Sequence, residues 1–483
     1  MKRLFSLTGW IFALAFLSVG LRNFEAGLSM DGPLYATIAR NLAHGPHSSF
    51  FLLQTSIPEF QPFFAEHPHL GFWTLAAFLK FLPDADWVAR MPSHLFYVLS
   101  LLLGYVWISD LARSRRAGAL FVVLIWAFPI LSNFFSNAYL DPQAFFLGFV
   151  AVYALERATR LKARRAWGLV AGLALAGCAL TKGLTVLGFG PAMAYLVVTR
   201  LRQNPKDVLF ASLSTLALAF GVLGLYAWGI SQSDVPAFIA TYLERQWSAR
   251  FAIATDWTLL YKFHYYKELA RETHYLIVLV PLALYFKNKR IPSGDARLLP
   301  VILLASFVLM YFPTARVGHQ YWIMLLPWAA WLIALGLDAL LPPSWTEPRL
   351  RRFTLTVSVT LVVFLQYIPF KVYKSRVPEL APQIALTSAQ ATSPTSQMWI
   401  EDTDHKDKFI RSSLWAWYGG YRVGYASRKD ILAGTMTLPA GDIFVVEHLP
   451  RGSERDKWIA TLAERGLQLR GEAERSVYWE QLR

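Results

Sequence analysis

Along most of the chain, apolar residues come in long unbroken blocks, near 5–21, 94–111, 117–131, 143–155, 166–181, 183–199, 208–230, 274–286, 298–312, 320–341 and 353–370. An α-helix rises 1.5 Å per residue, so about 20 apolar residues cross a hydrocarbon core of roughly 30 Å. The blocks predict about eleven membrane-spanning helices, with soft boundaries where a block falls short of that length. Two shorter stretches have helical periodicity instead: Leu34, Tyr35, Ile38 and Leu42, then Leu70, Trp73, Ala77 and Phe81. Neither is long enough to span, so each is expected to lie in the membrane interface with its apolar face toward the acyl chains.

After residue 371 the pattern changes. Pro378, Pro382 and the Ser/Thr/Gln run of 387–397 mark a linker over 371–396. Alternating or short continuous apolar runs then predict strands at 398–401, 421–425, 442–447 and 477–481, with a helical pattern at 454–465. The expected architecture is mainly α. A polytopic membrane domain occupies 1–370, with outer loops at 25–92 and 231–273, and a small α/β domain occupies 397–483. No internal repeat is visible, which weighs against a secondary transporter built from paired halves.

Composition and charge sharpen this. Of 483 residues, 55% are apolar and 16% charged, against roughly 25% charged in soluble domains. With Lys2 and Arg3 in the cytoplasm, alternate loops collect Arg113, Arg115 and Arg116; Arg157, Arg160, Lys162, Arg164 and Arg165; Arg200, Arg202 and Lys206; Lys287, Lys289, Arg290 and Arg297; and Arg349, Arg351 and Arg352. All fall on one side, as the positive-inside rule requires, and an odd span count puts the tail outside. The net charge of +15 is therefore largely a topology signal. No single basic face or RNA-type aromatic motif accompanies it, so nucleic acid is not an expected partner. The expected location is the inner (plasma) membrane, multi-pass, with site and tail on the extracytoplasmic side. The first block lacks a small-x-small cleavage site and reads as a signal anchor. Cys178 is the one cysteine, so neither a disulfide framework nor a thiolate metal site is expected.

Ionisable residues beside membrane helices are costly and therefore candidates for function. Asp31, Glu66, Asp141, Lys182 and Arg316 fall at the outer level, as do His67, His69, His264, His274 and His319. Each has a structural alternative. Asp31 precedes Gly32-Pro33 and Asp141 precedes Pro142, so both suit helix N-caps with proline in the first turn. Lys182 can snorkel to the interface, although a Lys-Gly break between two apolar runs is an odd place for an anchor. Glu66-His67-Pro68-His69 suits a divalent ion such as zinc or manganese, or an ordinary interfacial loop.

These residues make up recognisable motifs. Met30 to Arg40 (MDGPLYATIAR) resembles the "D-E-x-x-Y-A-x-I-A-R" opening of bacterial glycosyltransferases of the GT-C superfamily, nearest to the aminoarabinose transferases and the dolichyl-phosphate-mannose–protein mannosyltransferase-like enzymes. Glu66 to Trp73 (EHPHLGFW) is similar to their "E-K-P-P-L-x-x-W". Asn137 to Pro142 is similar to their second acidic motif, and Thr181-Lys182-Gly183 to their "x-K-G". Tyr242 to Phe251 resembles a divergent "E-H-x-x-R-F", and Arg316 to Tyr321 with Pro327 their late basic–His–Tyr–Pro segment. The resemblance covers roughly residues 1–345. Two departures stand out: His67 replaces the family lysine after the glutamate, and His69 replaces the second proline.

The resemblance implies transfer of a sugar from a polyprenyl-phosphate carrier to a lipid, glycan or protein acceptor by direct, inverting displacement. Asp31, Asp141 and Glu66 would be the catalytic carboxylates, and Lys182, Arg316, His67 and His319 would hold the donor phosphate. A divalent metal ion on Glu66 and His264, as in the aminoarabinose transferases, is a further expectation. The rival function is a transporter or flippase of lipid-linked sugars without transfer chemistry; it calls for functional charges on both sides, whereas the inner loops are short and basic. A third is a catalytically silent scaffold whose tail recruits partners.

Overall fold

The computed structural model describes residues 27–28, 31–45, 50–55, 57, 63–128, 131, 134–160, 164–233, 235–248, 294–311, 321–340, 397–401, 408–419, 422–439, 442–446, 453–464, 467–473 and 476–481. The blocks at 5–21, 274–286 and 353–370 lie outside them, as do the linker, most of the 231–273 loop, Met30, His264, His274, Arg316 and His319. In chain order the helices are α1 (Gly32–His44), α2 (Leu70–Phe81), α3 (Asp86–Leu111), α4 (Arg115–Ala127), α5 (Asp141–Arg160), α6 (Arg164–Lys182), α7 (Gly190–Leu201), α8 (Pro205–Ser231), α9 (Phe238–Leu243), α10 (Gly294–Tyr311) and α11 (Trp322–Leu340). Then follow β1 (Gln397–Glu401), α12 (Lys408–Gly419), β2 (Arg422–Ala426), α13 (Arg428–Ala433), β3 (Ile443–Val446), α14 (Ser453–Glu464), β4 (Leu467–Ala473) and β5 (Ser476–Gln481).

The described residues fall into two compact units. Those within Ala65–Thr74 and Arg90–Pro369 form a helical unit; those within Glu25–Phe64, Leu75–Ala89 and Phe370–Arg483 form a unit that carries the sheet.

In the helical unit every described apolar block is helical. Among the described residues, five helical stretches are long and apolar enough to cross a membrane: Asp86–Leu111, Arg165–Leu201, Pro205–Ser231, Gly294–Tyr311 and Trp322–Ala339. The second holds two crossings. Gly168 abuts Ala211 and Ser214, and Gly172 abuts Thr215 and Leu218. The contacts advance together along both helices, so α6 and α8 run parallel and the segment between them must return. The return starts at Gly183, whose φ of 53° lies in the left-handed region, and runs through a 3-10 turn (Gly183–Phe189) into α7. Expected spans at 166–181 and 183–199 are thus separate crossings.

An aromatic core centres on α11. Trp328 packs on Phe145, Phe149 and Phe189, and Trp331 meets Trp107 at 5.1 Å. Of the α11 window 72% is buried inside the protein, against 22% for α8. On α8 the outward Leu209, Phe210, Leu213, Leu216, Phe220, Leu225 and Trp228 are exposed. Such a band is stable only against hydrocarbon or a partner, as a multi-pass membrane protein requires.

In the other unit, the sheet order is β2-β1-β3-β5-β4, with β1 parallel to β2 and β3, and β5 antiparallel to β3 and β4. Ala426, Ile431, Leu438, Phe444, Leu462 and Leu467 form its core. Asp442 ties the start of β1, accepting from the Gln397 N–H and the Trp399 indole. The expected strands and the helix near 454–465 are present; α12, α13 and β4 are additions to the reading of the sequence. Helix α1 belongs to this unit and packs on α12. Leu34, Tyr35 and Ile38, expected to face acyl chains, are buried in protein at 3%, 4% and 0% exposure. That is a correction to the interfacial reading of α1: periodicity identifies an apolar face without saying what covers it. On α2, Ala77 and Phe81 do remain exposed.

Candidate functional site

In the helical unit, three of the motifs meet at one end of the bundle. Asp141 opens α5 and is fully buried; Lys182 closes α6 at 6% exposure. The Lys182 ammonium donates to Asp141 Oδ1. Among the described residues, Asp141 Oδ2 has no hydrogen-bond partner. Neither helix capping of Asp141 nor snorkelling of Lys182 describes this arrangement. Two buried opposite charges cost more to desolvate than their attraction readily returns, so the pair is poor evidence of a purely stabilising role.

The surroundings hold both charges in place. Ser93 brackets the residue two before Asp141, donating to the Tyr139 carbonyl at 2.9 Å and accepting from its N–H at 3.2 Å. Gly71, of the 66–73 motif, allows a close approach, since a Cβ there would meet Leu140 at 2.7 Å and Thr181 at 3.3 Å. It therefore touches the residues just before Asp141 and Lys182. After the lysine, Gly183 makes room for the Tyr242 hydroxyl, which accepts from the Leu184 N–H at 3.3 Å. Tyr321, the last residue of the late motif, presents its ring 5.3 Å from the Lys182 ammonium. The ring stacks on Tyr311 at 4.4 Å. A cation over an aromatic face is stabilised without losing its charge.

The other departure from the family pattern, His69, is fully buried, and its Nδ1 lies 2.6 Å from the Tyr226 hydroxyl. Trp73, Tyr226 and Phe238 surround the ring at 5.6, 5.6 and 4.5 Å. Phe238 stacks on Tyr242, with planes 4° apart. An aromatic train thus links the 66–73 motif to the Lys182–Gly183 turn. His67 is also buried and Glu66 half-buried. Sequence reasoning passed over Tyr226, Phe238 and Ser93. The available signal was a tyrosine inside an uncharged span, because a buried hydroxyl needs a partner.

Helices α5 to α8 also enclose an apolar groove of about 540 Å³, lined by Leu155, Leu175, Ala179, Val186, Met193 and Phe220 among others. Of the lining residues, Ala179 and Val186 flank Lys182 in the chain.

Asp31 belongs to the sheet-bearing unit. It precedes α1 in helical conformation and makes no side-chain cap to it; the helix is started instead by Pro33 at its first turn. At the other end of α1, burial lowers the Arg40 guanidinium below its usual value, opposed by the Asp84 carboxylate 3.6 Å away. Of the expected metal ligands, Glu66 is described and His264 is not. Among the described residues no group of three His, Cys, Asp or Glu side chains converges.

Comparison with known proteins gives consistent results. The profile of the family described as dolichyl-phosphate-mannose-protein mannosyltransferase matches residues 66–226. That stretch opens at Glu66 and holds both Asp141 and Lys182. No curated protein sequence matches significantly. Among solved structures, ArnT from Cupriavidus metallidurans bound to undecaprenyl phosphate is similar over 99% of this chain and 97% of its own, with a TM-score of 0.67 and 14% identity. Its apo state is similar over 98% of both chains, with a TM-score of 0.66 and 15% identity. The chain has the fold of these structures, mainly helical with several apolar helices and a small sheet in its C-terminal region.

Proposed function

We propose that this GT-C-fold membrane protein is a glycosyltransferase that moves a sugar from a polyprenyl-phosphate carrier to a glycolipid, glycan or protein of the cell envelope, at the outer face of the membrane. The observation that carries this reading is the buried Lys182–Asp141 pair, in a bundle that also holds an apolar groove lined in part by Ala179 and Val186. An isoprenoid tail has the chemistry to fill such a groove, and the Lys182 ammonium would serve as a cation for its phosphate.

The chemistry follows from charge. As the bond between the anomeric carbon and the phosphate oxygen breaks, negative charge gathers on the departing polyprenyl phosphate. A fixed cation stabilises that state more than the bound donor, which lowers the barrier. Lys182 supplies the cation and Asp141 keeps it aimed; Arg316, His67 and His319 are the further phosphate contacts the motifs suggest. Where the acceptor is a hydroxyl, Asp31 takes its proton during attack from the opposite face, and the anomeric configuration inverts. Glu66 orients the donor. A divalent ion on Glu66 would draw on His264 for a second protein ligand, and no step above is routed through it.

The test is transfer by purified protein in lipid. Transfer from polyprenyl-phosphate sugars but not from nucleotide sugars is expected. Asp31→Asn keeps the size of the side chain and should lower the rate to a hydroxyl acceptor by about 10²–10⁴-fold, the usual worth of a general base. Transfer from a soluble nucleotide sugar without a lipid carrier would refute the donor assignment.

A further inference from the structure

The segment on which Asp31 lies is fastened at both ends to one turn of a helix almost four hundred residues away in sequence. Before Asp31, the Gly27 N–H donates to Asp86 Oδ2 at 3.0 Å, and the Leu28 N–H donates to the Tyr418 hydroxyl at 2.7 Å. That hydroxyl in turn donates to Asp86 Oδ2 at 2.8 Å, and the Trp417 indole donates to Oδ1 at 2.8 Å. Asp86 is thus an acceptor for three donors, two from α12 and one from Gly27. Nine residues beyond Asp31, Arg40 reaches the same turn. Its guanidinium donates to the carbonyls of Ala416 and Trp417 at 2.6 and 2.7 Å, and lies 5.0 Å from the Trp417 ring centroid.

The chemistry of this contact is specific. The last carbonyls of a helix have no partner within it and carry its negative dipole end. A guanidinium fork satisfies two of them at once with fixed geometry, which a lysine cannot do. A carboxylate that accepts three hydrogen bonds fixes the position of every donor it holds, since such charge-assisted bonds are short and directional. The buried face of α1, through Tyr35 on Phe64, prevents rotation of the helix between the two anchors.

We propose that Asp86 and Arg40, acting through the Trp417–Tyr418 turn of the C-terminal domain, are positioning residues for Asp31, so that this domain is a part of the transfer apparatus and not an appendage. The inference rests on the reading of Asp31 as the base. A base must be held within fractions of an ångström of its proton, and a misplacement of about 1 Å can cost 10²-fold in rate. Fixing both ends of the 27–40 segment to one rigid turn supplies that constraint.

Two variants test it, with two readouts. Asp86→Asn leaves one acceptor oxygen for three donors; Tyr418→Phe removes a single oxygen from a half-buried ring and should fold normally. In both, hydrogen exchange at the amides of 28–40 should accelerate by about tenfold, the response of a segment whose local opening has become easier. kcat should fall by about tenfold in Asp86→Asn, with KM for the lipid-linked donor within about twofold, because a displaced base weakens the chemical step and leaves donor binding intact. Asp86→Glu, which keeps the carboxylate, should recover part of kcat. Unchanged exchange in both variants would overturn the clamp. Faster exchange with the parental kcat would overturn its positioning role. Failure of the underlying reading is separate: it would appear as an Asp31→Asn protein that transfers at the parental rate.

Discussion

The two ends of the helical bundle carry charge in opposite ways. At the end where α5 stops and α6 starts, charges are numerous and shared. Arg157 meets Asp110 at 3.0 Å, Arg160 meets Glu156 at 2.7 Å and Asp110 at 3.4 Å, and Arg116 meets Asp338 at 3.0 Å. Arg200 pairs with Asp295, which also accepts from Tyr195. Several of these groups are well exposed, with Asp110 at 42% and Arg160 at 38%. At the other end lies Lys182 with Asp141, at 3% and 0% side-chain exposure, so that both members of the pair are buried. A network with several partly exposed members tolerates the loss of one better than a pair in which both charges are buried. The first pattern fits an end selected for its location, the second an end selected for what it does to a ligand. A transporter would call for a second charged binding site along its path. At the opposite end Arg116, Arg157, Arg160 and Arg200 each meet a carboxylate of Asp338, Asp110, Glu156 or Asp295 instead.

Substitutions can break this contrast, and Lys182→Ala should do so most severely. Transfer by the purified variant should fall by about 10²–10³-fold, as when one donor to a developing oxyanion is removed; retention of more than a tenth of the parental rate would place the phosphate elsewhere. Asp141→Asn comes next. The variant leaves a buried ammonium poorly matched, which costs about 3–5 kcal/mol where one partner of such a pair is removed, so thermal unfolding in detergent should show a large loss of stability together with reduced transfer. Gly183→Ala should have an intermediate effect. A β-carbon at φ 53° costs about 1–2 kcal/mol, and here it would also displace Tyr242 from the turn. Arg200→Gln, at the opposite end, should change transfer by no more than about twofold, whatever its effect on stability. A strong effect there would erase the distinction between the ends.

Much of this fold can be read from the sequence because hydrocarbon allows few solutions. A run of apolar residues in lipid must satisfy its backbone internally, so the blocks from 94 to 341 that are described here are helices at close to the expected limits. The Lys182–Gly183 break stood out for the same reason. The C-terminal sheet was partly legible from alternation, but β4 was passed over. Leu467, Leu469 and Ala473 alternate there around a register shift between Leu469 and Gly471, which interrupts the pattern. Helix α12 was missed although Ile410, Leu414 and Trp417 recur at helical spacing, the signal that was read in the segment at 34–42. No local signal could have shown that α1 is covered by α12. That contact joins residues some 376 positions apart, and either lipid or protein would have satisfied the same apolar face. Of the candidate site, the pairing of Asp141 with Lys182 required knowing that α5 and α6 are antiparallel neighbours, whereas each residue was conspicuous alone.

The tight reversal at Gly183 also has a consequence for how the protein is made. Lys182 is at the apex of a helical hairpin, so in the proposed topology the insertion machinery must carry a cation through the hydrocarbon, at a cost of about 2.5–3.5 kcal/mol on translocation scales. Asp141 is earlier in the chain and at the same end of the bundle, so it has already crossed when the hairpin follows. The waiting carboxylate can capture the lysine as it arrives and keep the hairpin from slipping back. On this account the order of the two charges along the chain favours insertion of the hairpin, because the acid precedes the lysine.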